Sequence, residues 1–453
     1  MKTIYNRILV LSVLIALSSC TLDDIENPNA PTVTSFEQGA SQQDLRLLTT
    51  GLEAVMRNDL GFHYQTVSIL GREYNDLTQV DPRYTGEILI GPLDNNGFLT
   101  TRAYAAWYKI VQTANLLITA VDNSSTALSA QALDGYKGYA RTLKAYALMM
   151  VANRQFSNGI RIDVNDPDDL GDFVSYDNAL AEIRTMLNTA NTELTNAASA
   201  FDPGEDEFDF ALSSGFAGFD TPSTFAEFNR AIAARVAIYQ DLKGEALSLL
   251  ADSFMDETAG LNVGPAHVFG LTGNDIANPL FYVPNQQRYM AHPSFEADAE
   301  SNGGTIDSRV TSKTSLFDPE DDPDLGPITV TFDGLSGDRQ VTLYSSNTAP
   351  VSIIRNEELL LIYAEANIGT NNAEAIRVLD IIRAAAGLGG STANPAVDAE
   401  VEDEMLTQRR YSLFGEGHRW IDLRRYDRLS DLPLDRTGDT RISEFPTPFA
   451  ENE

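Results

Sequence analysis

Residues 356–388 read NEELLLIYAEANIGTNNAEAIRVLDIIRAAAGL, two apolar helical segments separated by the turn sequence GTNN. In the second segment Ala375, Val378, Leu379 and Ile382 recur at i, i+3, i+4 and i+7, which places them on one face of a helix. Gly387 follows the last turn, where a glycine readily adopts the left-handed conformation that ends a helix. The stretch therefore predicts two packed antiparallel helices.

The same periodicity recurs through the N-terminal half of the chain. Tyr139, Thr142, Leu143 and Tyr146 again fall at i, i+3, i+4 and i+7 and mark one buried helix face. Successive helix pairs of this size indicate tetratricopeptide-like stacking, although there is no strict repeat of about 34 residues. Helices are predicted over residues 41–58, 101–121, 129–156, 175–200, 224–250 and, with the GTNN interruption, 353–386.

The middle of the chain breaks this pattern, because Gly, Pro, Asn and Asp punctuate residues 251–350. Within it, ITVTFDGLSGDRQVTLY (328–344) alternates like two short strands, with Asp333 and Gly334 near the turn. We therefore predict a mainly all-α fold, made of tetratricopeptide-like stacked helix pairs with a loop-rich region that contains a small β-hairpin.

The N-terminus has the features of an export signal. Lys2 and Arg7 precede an apolar run over residues 8–17, which is too short to span a bilayer as a mature helix. The run ends in LSSC, and Cys20 is the only cysteine of the chain. This ending resembles a bacterial lipobox, which implies removal of residues 1–19 and acylation of Cys20. Ordinary signal cleavage near a chance cysteine is the alternative. Several acyl chains on one cysteine give stable anchoring.

Composition excludes several classes of function. The formal net charge of −33 repels nucleic acid phosphates and anionic lipids, so we expect no nucleic acid partner. The four histidines form no HExxH motif, and the chain has no GxSxG elbow and no GxxxxGK[ST] phosphate loop. We expect no catalytic residues, no metal site, no cofactor and no enzymatic activity. A pair of carboxylates remains compatible with a glycosidase, because their separation cannot be read from sequence.

The run FDPEDDPDLG gathers carboxylates that suit calcium, but it lacks the ordered spacing of an EF-hand loop. A solvated acidic loop is the preferred interpretation. The residues concerned are Asp318, Glu320, Asp321, Asp322 and Asp324.

Several segments together resemble the SusD/RagB family of outer-membrane nutrient-binding lipoproteins of Bacteroidota. The C-terminal ones are NEELLLIYAEANIGTNNAEAIRVLDIIRAAAGL and QRRYSLFGEGHRWIDLRR. AYAAWYKIVQTANLLI, GYARTLKAYALMM and FNRAIAARVAIYQ resemble the family's N-terminal helices in the expected order. The resemblance implies a lipoprotein at the outer membrane, facing the cell exterior. It also implies a SusC-like TonB-dependent outer-membrane transporter as partner, to which a captured glycan or peptide is delivered.

The segment FGEGHRWIDLRR (414–425) brings Glu416, His418 and Asp422 close together. Such a cluster suits acid–base chemistry or a metal, but Arg419 lies at helical spacings that allow ion pairs with Glu416 and with Asp422. In the family the matching segment is a fold signature. We therefore predict a structural network of Glu416, Arg419, Trp420 and Asp422. In it Arg419 and Asp422 hold the last long helix against the preceding pair, with Trp420 packed beneath.

The chain is predicted to consist of five parts. The last of them is expected to pack with the N-terminal helices. The parts are a signal peptide (1–19), a lipid anchor and tether (20–40), an N-terminal helical-repeat region (41–250), a loop-rich region (251–350) and a C-terminal helical region (351–453).

Ligand capture requires flat apolar faces beside hydrogen-bonding groups, and loops are the usual place for them. Two turn-rich stretches have this character, each with ordinary loop packing as the alternative. GREYNDLTQVDPRYTGE (71–87) offers Arg72, Tyr74, Asn75, Asp76, Arg83 and Tyr84. NPLFYVPNQQRYMAHPSF (278–295) offers Phe281, Tyr282, Asn285, Gln287, Arg288 and Tyr289. Trp107 and Tyr108 lie in a predicted helix and are expected in the core.

The sequence thus predicts a surface lipoprotein that binds a nutrient, an oligo- or polysaccharide, and delivers it to the transporter. Two alternatives remain open. One is a lipid-anchored helical-repeat protein that mediates protein–protein interaction at the surface, and the other is a peptide-binding member of the same family.

Overall fold

The computed structural model describes residues 33–166, 168–199, 206–273, 275–283, 289–319 and 326–452. The signal peptide and Cys20 lie outside this range. So do Glu320, Asp321, Asp322 and Asp324 of the acidic run.

Helices dominate the chain, which confirms the predicted fold class. In the N-terminal half they are α1 (Val33–Glu37), α2 (Gln42–Val55), α3 (Leu60–Leu70), α4 (Glu87–Ile90), α5 (Phe98–Asp122), α6 (Ala130–Gln155), α7 (Tyr176–Ala198), α8 (Pro222–Tyr239) and α9 (Lys243–Ala251). After them come α10 (Ser294–Ala297), α11 (Ser308–Lys313), α12 (Asn356–Asn367), α13 (Asn372–Ala385), α14 (Asp398–Ser412) and α15 (Arg419–Arg425).

The strands are short. They are β1 (Tyr74–Asp76), β2 (Ile160–Arg161), β3 (Phe173–Val174), β4 (Ala266–His267), β5 (Tyr289–Ala291) and β6 (Ser301–Asn302), followed by β7 (Thr305–Ile306), β8 (Thr314–Leu316), β9 (Val330–Phe332), β10 (Leu335–Gly337), β11 (Arg339–Val341) and β12 (Val351–Ser352). The largest sheet has the order β1-β5-β11-β8, and its pairs are antiparallel. The predicted hairpin is confirmed as β9 and β10, with Asp333 and Gly334 at positive φ in the turn.

Local signals explain where the helices begin and end. The Ser41 hydroxyl and the Asp44 carboxylate form a capping box at the start of α2, and the Asn371 side chain accepts from Glu374 N at the start of α13. Gly387 has φ +76° just after α13, as predicted. The segment 224–250 was predicted as one helix and is two, because the chain breaks at Asp241, which has φ +55°.

Helices adjacent in the chain pack against each other from α5 to α9 and again from α12 to α14. The predicted faces form the core, since Tyr139, Leu143 and Tyr146 are fully buried and so are Val378 and Leu379. The two helical regions also touch, because α12 packs on α8 and α9 while α15 packs on α3. The division into five parts stays a prediction.

A buried network of ion pairs joins these regions. Asp422 of α15 accepts from Arg409 Nε of α14 at 2.7 Å and from Arg425 at 2.9 Å. Arg425 also donates to Glu365 of α12 at 2.8 Å. Burial alone raises the pKa of Asp422, but Arg409 and Arg425 outweigh that effect and hold it at about 2. The acid therefore stays charged inside the protein.

The predicted partners of Arg419 are wrong. Glu416 accepts from Arg355 at 2.8 Å, and Asp422 pairs with the two arginines above. Arg419 instead donates its Nε to the carbonyl oxygen of Gly71 at 3.1 Å. The prediction failed because helical spacing reports only local neighbours, whereas these carboxylates meet arginines from other helices. Trp420 is buried, and its Nε1 donates to Ile442 O at 2.7 Å.

Replacing Asp422 tests the network. We expect Asp422→Ala to lower the free energy of unfolding by about 3–5 kcal/mol, because it leaves Arg409 and Arg425 buried with less compensating charge. Urea denaturation followed by circular dichroism measures the loss.

The matched control is Asp431→Ala, which removes a half-exposed carboxylate paired with Arg428 on the surface. This change should cost about 0–1 kcal/mol. Equal losses for both variants would contradict a structural role of the buried pair.

Candidate functional site

An open cleft of about 790 Å³ lies between the start of α3, the first half of α5 and the loop that contains residues 276–279. Both polar and apolar side chains line it, as in most ligand sites. The polar lining includes Asn58, Asp59, Gln65, Arg102 and Lys109, and the apolar lining includes Phe62, Ala106, Ile276, Pro279 and Tyr289.

A row of aromatic rings begins in this cleft. Phe62 packs edge-to-face on Phe98 with ring centroids 5.7 Å apart, and Phe98 packs in the same way on Tyr84 at 5.9 Å. All three side chains are partly exposed. They form a continuous apolar strip along the surface from the cleft to the loop before α4.

Two arginines cover this strip. The Arg102 guanidinium carbon lies 3.8 Å from the centroid of Phe62, and that of Arg83 lies 4.2 Å from the centroid of Phe98. Their side chains are 47% and 49% exposed. Asp59 pairs with Arg102, and Asp81 pairs with Arg83 at 2.6 Å. Phe62 and Phe98 therefore each have the hydrogen-bond donors of a guanidinium at one face.

Buried groups support the cleft wall from behind. Gln65 donates its side-chain amide to Asp76 of β1 at 3.1 Å. Trp107 Nε1 donates to His63 Nδ1 at 3.1 Å, and burial holds the pKa of His63 well below its usual range. The neutral imidazole is thus used as an acceptor beneath the cleft. Trp107 and Tyr108 are buried, as predicted.

The cleft can bind by contact and hydrogen bonding. Asp59 is the sole carboxylate among the described residues of its lining, and Arg102 holds it. Among the described residues, three or more His, Cys, Asp or Glu side chains nowhere come together as candidate metal ligands. Asp318 of the acidic run is described, while its neighbours Glu320 to Asp324 lie outside the described residues.

The sequence over α12 to α15 identifies a family. Residues 327–448 match the model of the SusD family. Over this C-terminal stretch the chain is similar to the SusD family. No curated protein matches the sequence significantly. In the part of the chain that the structure describes, no helix combines the length and hydropathy needed to cross a bilayer.

Several solved structures share the fold over nearly the whole chain. Surface glycan-binding protein A from Bacteroides thetaiotaomicron, solved with laminarihexaose, is 14% identical with a TM-score of 0.68, and the match covers 91% of this chain and 97% of that one. A SusD superfamily protein from Bacteroides vulgatus is 15% identical with a TM-score of 0.63, covering 91% and 96%. A laminarin-binding SusD-like protein is 16% identical with a TM-score of 0.58, covering 92% and 98%. This likeness shows the SusD fold.

Within the SusD fold, the first predicted loop is mostly buried. Residues 74–76 form β1, and Arg72, Tyr74, Asn75 and Asp76 are each at most 5% exposed. These four residues therefore lie in or beside a buried edge strand, whereas the sequence predicted a turn-rich loop. Arg72 donates to the carbonyl oxygens of Leu70 and Thr440, and burial lowers its pKa to about 10. Direct ligand contact by these residues stays a prediction.

The structure brings the two predicted stretches together. β1 pairs with β5, so that Asp76 lies opposite Tyr289 and Tyr74 lies opposite Ala291. Tyr289 is buried at the cleft floor, with its ring centroid 4.2 Å from that of Tyr282. Phe281 and Tyr282 are partly exposed, whereas Asn285, Gln287 and Arg288 lie outside the described residues. Arg83 and Tyr84 belong to the aromatic strip.

Sequence reasoning missed the cleft residues that lie on helix ends. Phe62 stands near the start of α3, and Phe98 and Arg102 stand one turn apart at the start of α5. Local spacing gave no signal for them, because Arg102 covers Phe62 of another helix and Phe98 is covered by Arg83 of the preceding loop. The sequence around Asp59 did not indicate its place in the cleft, because its left-handed backbone conformation (φ +49°) is set by the tertiary fold.

Glu73, next to β1, makes stability depend on pH. Its carboxylate accepts from Gly415 N at 3.0 Å. Burial raises the pKa of Glu73 from 4.5 to about 7. The folded state therefore favours the protonated acid. The contribution of protonated Glu73 to the free energy of unfolding is fully present below pH 4.5, and it is lost as the pH rises through about 7.

We expect Glu73→Gln to stabilise the protein at pH 8 by about 3 kcal/mol relative to wild type, and by little at pH 4.5. Urea denaturation at the two pH values measures the difference. The control is Glu182→Gln on the exposed face of α7, which should show the same small effect at both. A pH-independent effect of Glu73→Gln would contradict the buried acid.

Proposed function

We propose that the chain is a surface glycan-binding protein that captures a saccharide in the cleft between α3 and α5 without altering it. The observation that carries the proposal is the strip of Phe62, Phe98 and Tyr84 with arginines at its faces. Support comes from solved proteins of the same fold, which include a laminarin-binding SusD-like protein and a surface glycan-binding protein in complex with laminarihexaose.

The chemistry of a sugar ring fits this surface. Its C–H faces pack on the aromatic strip, while its hydroxyls need donors and acceptors that replace lost water. Arg102 and Lys109 supply donors, and Asn58 and Asp59 supply acceptors, on the cleft walls. The side-chain amide of Gln65, which donates to Asp76, is a further polar group in the cleft lining. The buried β1 strand in this proposal acts by orienting the cleft wall.

The cellular part of the proposal rests on the N-terminal sequence and the family. Cys20 carries lipid, the following residues tether the domain to the outer face of the outer membrane, and a SusC-like TonB-dependent transporter receives the cargo. The acidic surface is compatible with this placement, because such a protein needs no attraction to anionic lipid once acylated.

Cleft variants test the capture. We expect Phe62→Ala and Arg102→Gln each to weaken binding roughly tenfold, a loss of about 1.4 kcal/mol. The measurement is retardation in native gels containing soluble polysaccharides, beginning with laminarin, followed by calorimetry with the glycan that retards.

Matched controls are available on the same chain. Phe449→Ala removes another half-exposed ring, and Arg46→Gln removes another half-exposed arginine that pairs with an aspartate. Both should bind like wild type. Unchanged glycan binding by Phe62→Ala and Arg102→Gln would show that the glycan binds outside this cleft. A protein that binds no glycan or peptide in the panel, yet co-purifies with the transporter, would favour the protein–protein interaction role.

Replacing Cys20 tests the anchor. In the native host we expect wild type in the outer-membrane fraction with incorporated palmitate label, and Cys20→Ala without label. Cys20→Ser serves as the conservative partner variant and should behave like Cys20→Ala, because a hydroxyl is not a lipobox thiol. Wild-type protein found in the periplasm with a free thiol would overturn the anchor.

A further inference from the structure

A second, smaller pocket lies between α14 and α15, with a volume of about 250 Å³. It adjoins the C-terminal end of α3, whereas the glycan cleft adjoins the N-terminal end of that helix. An 11-residue helix is about 16 Å long, so the two sites are distinct. Its polar lining includes Thr407, Arg410 and Arg419.

Arg419 is the unusual group in this pocket. It donates Nε to Gly71 O at 3.1 Å, and its two Nη groups have no acceptor among the described residues. Other buried arginines without an ion pair use both: Arg154 donates to Thr66 and Leu99, and Arg424 donates to Ser443 and Asn153. Arg419 itself is only partly buried and its Nη groups are not among the enclosed unpartnered atoms, so a ligand in the pocket can accept from both of them.

A second guanidinium and a hydroxyl stand beside Arg419. Arg410 lines the same pocket, with its Nη groups on Asp298 at 2.9 Å and on the Ser294 hydroxyl at 2.7 Å. Burial lowers the pKa of Arg419 to about 10, and the nearby charge of Arg410 adds to this effect. Thr407 lies one turn before Arg410 on α14, and its hydroxyl has no partner in the described part of the chain.

The acids around the pocket are already engaged. Asp403 and Asp431 at its rim both pair with Arg428. Asp422 at its base pairs with Arg409 and Arg425. The positive charge of Arg419 is therefore not neutralised by them, and it faces open space. Although the chain as a whole is acidic, this local unpaired guanidinium favours an anionic ligand over a cation.

We infer that Arg419, Arg410 and Thr407 form a binding site for an oxyanion, a sulfate, phosphate or carboxylate group. The planar fork of Arg419 takes two oxygens at once, Arg410 adds a second positive charge, and the Thr407 hydroxyl donates to a third position. The group can arrive as a free inorganic ion or as the carboxylate of an acidic sugar, and the same three side chains would hold either.

Titration of the folded protein tests this site. Sodium sulfate, potassium phosphate and sodium glucuronate are titrated by calorimetry at constant ionic strength, with sodium chloride and glucose as blanks. We expect at least one of the three oxyanions to bind saturably, and Arg419→Gln to weaken it roughly tenfold or more. Sulfate or phosphate binding without glucuronate identifies a free ion, and glucuronate binding identifies an acidic sugar.

The matched control is Arg441→Gln. Arg441 is exposed and, like Arg419, donates its Nε to a backbone carbonyl, that of Leu432 at 2.8 Å. This control removes the same charge and should bind the oxyanion like wild type. If Arg419→Gln fails to fold by circular dichroism, Arg419→Lys replaces it, since the amine keeps the charge and loses the fork, and the same tenfold loss is expected.

Three outcomes would overturn the inference: no saturable binding of any oxyanion by wild type, unchanged affinity in Arg419→Lys or Arg419→Gln, or equal weakening by Arg441→Gln. Laminarin retardation of the folded Arg419 variant separates this site from the glycan cleft. Loss of oxyanion binding with retained glycan binding is the expected pattern, and failure of glycan binding in wild type leaves the oxyanion titration valid.

Discussion

The Asp422 carboxylate, shared between Arg409 and Arg425 inside the protein, is the interaction on which the architecture depends. Two arginines and two acids, counting Glu365, fix α12, α14 and α15 to one another in a single register. Desolvation of these charges cancels much of their attraction, so the network adds little stability over a hydrophobic core of equal volume. Its effect is to make any other arrangement of the three helices leave a charge unpaired.

From that fixed point, α15 reaches both halves of the chain. Arg424 donates to the carbonyl oxygen of Asn153 at the end of α6, and Arg419 donates to that of Gly71 after α3. Trp420 lies between them against Phe445, and its indole bonds the C-terminal segment. The short helix thus sets the position of α3. Because α3 is one continuous helix, fixing its C-terminal end also fixes the cleft wall at its N-terminal end.

Periodicity in the sequence was enough to predict most of the long helices, but it gave no bounds for α14 (Asp398–Ser412). It missed α3, whose buried residues include His63, Gln65 and Ser68 on all sides, so that no amphipathic stripe exists. Three residues of each candidate stretch proved to form neighbouring strands, and composition could not tell their buried side chains from the exposed side chains nearby. The partners of Asp422 and Arg419 are far away in sequence, and local spacing carries no information about them.

The guanidinium of Arg102 already occupies the face of Phe62. A ligand ring that stacks on Phe62 has to displace the Arg102 guanidinium from it. The energy of that cation–π contact is then subtracted from the affinity for the ligand. The same cation returns when the ring departs, which shortens the residence time of the visitor. A ring stacked on this surface is therefore held more weakly, and for a shorter time, than on an aromatic ring with an open face.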